Sequence, residues 1–196
     1  MIKLAIIGTS GRDDDDLSKL DYYHLQWMAN KVESYIKDVL HTEPSNIILI
    51  SGGSAWADHV AVQLYLDKEK KFAGLELYLP SKFDLKYNHY VNTHEGRLLN
   101  KLHKQCQEKT DIDVLLELGK VLHRPGVKVV IKRGFPSRNT LIAKNCDYLL
   151  AFSFGETNEF GPLKGGTLDT WKKVLHCNKS HYDLNFCKEK KYITIV

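Results

Sequence analysis

Short, nearly continuous apolar runs that stop at a glycine-containing turn and give way to helical spacing recur along this chain, and that alternation restricts it to α/β architectures built on a buried parallel sheet. Ile2 to Ile7 is the first such run, and it ends in Gly8-Thr9-Ser10-Gly11-Arg12. Beyond the acidic patch Asp13 to Asp16, Leu17, Leu20, Leu25, Met28, Val32, Tyr35, Ile36 and Val39 follow a helical period, with the aspartates placed as N-cap and first-turn residues. Ile47 to Ile50 repeats the pattern into Ser51-Gly52-Gly53-Ser54, and Ala57, Val60, Ala61, Leu64 and Tyr65 then mark one helical face. Leu75 to Leu79 reads as a third strand, stopped by Pro80. Two strand–helix units and a third strand predict right-handed crossovers, hence a Rossmann-like three-layer α/β domain with a mostly parallel sheet.

The stretch from about 82 to 132 is less regular. Helices are expected around Leu98, Leu99, Leu102 and Cys106 and around Leu115, Leu118, Val121 and Leu122, and Val127 to Ile131 reads as a strand. The β–turn–α pattern resumes at Gly134, where Pro136 suits a helix start. It continues through a strand at Tyr148 to Phe152, a glycine-bearing loop from Gly155 to Gly166, and a helix carrying Leu168, Trp171, Val174 and Leu175. Tyr192 to Val196 reads as a terminal strand. No repeat, low-complexity tract or linker divides the 196 residues, so a single domain over 1–196 is predicted.

A formal charge of +4 suits an anionic ligand but is too mild to argue for nucleic acid by itself. The cysteines at 106, 146, 177 and 187 contain no C-x-x-C pair, which removes the zinc-ribbon and redox motifs and suits reduced thiols. No apolar run approaches the ~20 residues of a membrane-spanning helix, and no leader precedes the first strand. A cytoplasmic protein without membrane attachment is expected.

Ligands of open parallel sheets bind outside the carboxyl ends of the strands, and four turns fall there. Gly8, Thr9, Ser10, Gly11 and Arg12 can offer backbone N–H groups, hydroxyls and a guanidinium to a phosphate; a tight turn that simply needs glycine is the alternative. Ser51, Gly52, Gly53 and Ser54 let the chain turn beneath a ligand, with Asp58 in the first turn of the next helix as an acceptor for a ribose or base, or only as a helix-stabilising aspartate. Arg138 and Asn139 open a third helix, where arginine pairs with phosphate or forms a surface salt bridge. Gly165, Gly166 and Thr167 open a fourth, with Asp169 close behind. Neither a Walker A loop nor a G-x-G-x-x-G fingerprint occurs. His89, His94 and Asp84 lack metal-ligand spacing, and no motif calls for a cofactor or metal. Trp56 is read either as a base-stacking residue or as core packing.

Ser51-Gly52-Gly53-x-x-x-x-Asp58, Arg138-Asn139-x-x-Ile142-Ala143-x-x-x-Asp147 and Gly165-Gly166-Thr167, in that order, resemble the motifs of the SLOG superfamily, which unites DNA-processing-protein-A relatives with the lonely-guy cytokinin-activating enzymes. The resemblance covers most of the chain and is weakest from 82 to 132. It implies a nucleotide or nucleotide-derived ligand that is sensed, sequestered or processed, and a homodimer or higher homo-oligomer. Lonely-guy enzymes release the base from nucleoside 5′-monophosphates with a glutamate in P-G-G-x-G-T-x-x-E. Here Thr170 stands at that glutamate position and Asp169 is the nearest carboxylate, one residue early and ~100° around the helix. The F-P-x-R-N-x-x-I-A stretch, here Phe135 to Ala143, is similar to that of the DNA-processing proteins, which bind single-stranded DNA. The stand-alone nucleotide-binding branch matches the set best, with the phosphoribohydrolase using Asp169 and the single-strand binder as alternatives.

Overall fold

The protein is described by a computed structural model covering residues 1–155 and 161–187. Its sheet contains β1 (Ile2–Gly8), β2 (Ile47–Ser51), β3 (Gly74–Leu79), β6 (Val127–Ile131), β7 (Tyr148–Ser153) and β8 (Asn178–Asp183) in the order β6-β3-β2-β1-β7-β8. Every pairing is parallel. The chain thus steps outward from β1 through β2 and β3 to β6, then returns to lay β7 on the other flank of β1. The strand order reverses between β1 and β7, where a doubly wound sheet opens its ligand crevice.

Alternation along the buried strands supplies two cores. Leu4 and Ile6 of β1 join Leu49, Leu75, Leu77 and Phe152 beneath α2 (Tyr22–Asp38), α3 (Ala57–Leu66), α4 (His94–Thr110) and α5 (Val114–Leu122). Ala5 and Ile7 face the other way, with Leu149 and Ala151, against Ile142 and Ala143 of α6 (Phe135–Asn145) and Trp171 of α7 (Gly165–Lys173). That gives the three-layer α/β architecture, each fully buried Leu or Ile contributing about 1.5–3 kcal/mol.

Several expectations are refined. The helical period after the acidic patch belongs to two helices, α1 (Asp14–Lys19) and α2, because the Asp21 side chain accepts from the first-turn amides of α2 while His24 bonds back to the Asp21 N–H. The irregular stretch contains a small hairpin, β4 (Phe83–Asp84) with β5 (His89–Tyr90), ahead of α4 and α5. The strand expected at 192–196 lies outside the described residues; the edge beside β7 is formed by β8. Among the described residues no helix is long and apolar enough to cross a membrane.

Candidate functional site

A cleft of about 350 Å³ opens at the carboxyl ends of β1 and β7, within the size range of small-molecule sites. The turns singled out in the sequence converge on it. Gly8, Thr9, Ser10 and Arg12 line it from β1, Ser54 and Asp58 from the β2–α3 turn, Arg138 and Asn139 from α6, and Gly165, Gly166 and Thr167 from α7. Gly11, Ser51, Gly52 and Gly53 do not line the cleft. They shape its wall: Ser51 Oγ donates to the Asp58 carbonyl at 2.7 Å and accepts the Gly53 N–H at 3.0 Å. The Gly53 carbonyl in turn accepts from the buried Tyr90 hydroxyl at 2.5 Å.

At the centre is a buried ion pair. Arg138 Nη1 lies 2.9 Å from Asp58 Oδ2, which also accepts the Ser54 N–H at 3.2 Å. Burial pushes the Asp58 carboxyl up, against the opposing pull of Arg138 and the Ser54 and Gly52 amides. Arg138 is only 8% exposed and lines the cleft, yet its Nε–H has no partner among the described residues. An unpaired guanidinium donor at this depth costs on the order of 1–3 kcal/mol unless something accepts from it.

Gly52 is where this arrangement demands glycine: a Cβ there would lie 1.2 Å from Arg138 Nη1 and 2.6 Å from Asp58 Oδ2. The guanidinium crosses the space a side chain would fill. Gly52→Ala is therefore expected to expel Arg138 from its pairing and to cost about 1–3 kcal/mol by overpacking, a loss that chemical denaturation reads directly.

Helix capping separates the cleft from the rest of the molecule. α1, α2, α4 and α5 are each capped by a side chain, from Asp13, Asp21, Thr93 and Asp113 respectively. α3, α6 and α7 begin at Trp56, Gly134 and Lys164, none of which makes a side-chain cap bond. Their first turns contribute Asp58, Phe135, Arg138, Gly165, Gly166 and Thr167 to the lining. The N-terminal ends of α6 and α7 thus open on the cleft, whereas the α3 amides of Ala57 and His59 donate to the Thr9 and Trp56 carbonyls.

The rim carries charge of both signs. Lys164 Nζ sits 3.2 Å from carboxylate oxygens of both Asp13 and Asp16, and Thr9 Oγ1 donates to Asp16 at 3.1 Å. The Asp16 amide first, then Lys164, hold the Asp13 carboxyl below its ordinary range. Asp13, Asp15 and Asp16 bring their carboxylates within 4.8 Å of one another, with the Lys164 ammonium against two of them.

Asp169 stands apart from this lining. Its Oδ2 accepts from Lys173 Nζ at 2.7 Å and from Asn139 Nδ2 at 2.9 Å. Burial raises its pKa, but these two partners outweigh burial and hold the carboxyl below its ordinary range. Thr170, 2% exposed, occupies the cleft wall instead. Trp56 is fully buried in the core and does not line the cleft. Sequence reasoning missed Asp13, Asp16, Ser153 and Lys164 as lining residues, as well as the apolar wall of Leu98, Leu102 and Ile142. Of these only the leucines had a usable signal, their position on a helix of the irregular stretch.

No family model matches the chain. It is similar to the uncharacterized protein R261 of Acanthamoeba polyphaga mimivirus, 45% identical over 184 residues that cover 94% of this chain and 97% of that protein.

Proposed function

The chain belongs to the family of the mimivirus protein R261, and for this member of it we propose a stand-alone SLOG-type protein that binds a nucleotide or nucleotide-derived ligand. The observation that carries the reading is the buried, cleft-lining Arg138, whose Nε–H is unpartnered among the described residues, in a cleft also lined by the uncapped starts of α6 and α7. Phosphate groups take the first-turn amides of α6 and α7, the Gly8–Arg12 turn and the free donor of Arg138. Ser54 and Asp58 face the ribose or base, and Phe135, with Arg12 and Arg138 at 5.8 and 5.7 Å from its ring centroid, offers an apolar plate beside the charge.

Binding is favoured over phosphoribohydrolase chemistry because the Asp169 carboxylate is engaged by Lys173 and Asn139 outside the lining. A bounded cleft of about 350 Å³ suits a small molecule better than a strand of DNA. Cytoplasmic location and homo-oligomeric assembly remain part of the proposal, the latter checked by light scattering.

Thermal-shift measurements with nucleoside mono- and diphosphates, ADP-ribose and cyclic dinucleotides test the reading. At a hundredfold excess over Kd a ligand adds about 2.7 kcal/mol, which for a chain of this size raises Tm by about 5–10 °C. No response from any member of the panel would sink the proposal.

A further inference from the structure

β7 ends in the cleft at Ser153, which is 8% exposed and part of the lining. Its neighbour β8 runs parallel, with Ala151 opposite His181 and Ser153 opposite Asp183. His181 reaches diagonally across this register and places Nε2 2.8 Å from Ser153 Oγ. The edge of Trp171, with ring centroids 6.3 Å apart, helps to fix the imidazole. Burial lowers the proton affinity of His181, against the opposing charge of Asp183, so the ring is neutral near pH 7 and has a nitrogen able to accept a proton. Its buried Nδ1 finds no partner among the described residues. A histidine kept only for packing gains nothing from an orphaned ring nitrogen, whereas buried unsatisfied groups mark functional side chains often enough to demand an explanation.

A hydroxyl in a ligand cleft, within hydrogen-bond reach of a neutral imidazole, is the arrangement of an activated nucleophile and its base. The same cleft is lined by Gly165, Gly166 and Thr167 at the uncapped start of α7, and first-turn amides are the kind of donor that stabilises a developing oxyanion. We propose that Ser153 and His181 form a nucleophile–base pair that hydrolyses a carboxylic ester carried on the anionic ligand of this cleft.

In the first half-reaction His181 Nε2 takes the Ser153 hydroxyl proton as Oγ bonds to the ester carbon, and the carbonyl electron pair moves onto oxygen. Collapse of that adduct breaks the bond to the alcohol oxygen, which leaves with the proton from His181. Water then attacks the acyl-serine, giving its proton to His181, and the acid is released as Ser153 Oγ regains a proton. The sum is ester plus water to acid plus alcohol. A phosphate on the ligand is needed for recognition and rests on the nucleotide reading above; the nucleophile does not.

The test is labelling of the full-length protein with a fluorophosphonate reagent, which forms an Oγ–P bond, expels fluoride and transfers the hydroxyl proton to His181. Intact mass and peptide mapping are expected to find one adduct, on Ser153, in native protein and none in urea. Ser153→Ala abolishes it and His181→Gln slows it by about 10²-fold or more, with circular dichroism establishing that each variant is folded. No adduct on native protein, or an unchanged rate in folded His181→Gln, overturns the proposal. Release of nitrophenol from p-nitrophenyl acetate supports the ester class, and release only from bis(p-nitrophenyl) phosphate overturns it. A nucleotide thermal shift without labelling removes the dyad alone; labelling without any shift removes the nucleotide reading and retains the nucleophile.

Discussion

Replacing Arg138 with leucine is expected to lower folding stability by about 3–5 kcal/mol and to abolish the thermal response to phosphate-bearing ligands. The stability loss comes less from the missing contact than from what is left behind, since Asp58 stays 5% exposed with its principal counter-charge removed. Two features distinguish this from a generic core lesion. The first is pH dependence. Burial already pushes the Asp58 carboxyl up, and loss of Arg138 raises it further. A carboxyl whose folded pKa exceeds its unfolded value binds more protons in the fold, so falling pH stabilises the variant more than the parent. The deficit should shrink from pH 7.5 to pH 5 in urea titrations; a constant deficit would show that the pair does not control it. The second is rescue. Adding Asp58→Asn removes the stranded charge and recovers much of the stability, but no affinity for anions.

Trp56→Ala should cost about 3–5 kcal/mol, as befits the removal of a fully buried indole. The informative comparison is Trp56→Gly. Trp56 holds φ 60° and ψ −115° at the start of α3, a conformation worth on the order of 1–3 kcal/mol of strain for any residue with a Cβ. Glycine loses the same indole but is relieved of that strain, against a penalty of about 0.5–1 kcal/mol for its freer unfolded chain. The glycine variant should therefore equal or exceed the alanine variant in stability. Alanine proving clearly more stable would show that the backbone there is not strained.

The central sheet was legible because its strands are buried on both faces. Ile2 to Ile7, Ile47 to Ile50 and Tyr148 to Phe152 read as apolar runs closed by small or polar residues, and the first and third lead into the cleft at Gly8 and Ser153. β8 escaped notice for the complementary reason: Asn-Lys-Ser-His-Tyr-Asp on a half-exposed edge carries no apolar run. The cleft's backbone devices were visible as glycines, but their division of labour was not. Nothing local reveals that Gly52 is empty for the sake of a side chain far along the sequence, Arg138. Ser153 and His181 likewise meet only through strand register. Trp56 follows paired glycines, a context that suits a ligand contact as well as it suits the core, and only burial decides for the core.

The position of β1 in the sheet order also sets a schedule for the nascent chain. β1 is central, and one of its flanks pairs with Ile47–Ser51, near in sequence, while the other waits for Tyr148–Ser153. Until that later strand is made, an apolar strand has an open edge, the kind of surface that recruits chaperones or misassociates. The crevice between β1 and β7 cannot exist until that late strand docks. Chains stalled or truncated before residues 148–153 therefore lack the crevice altogether, however well their first half has folded.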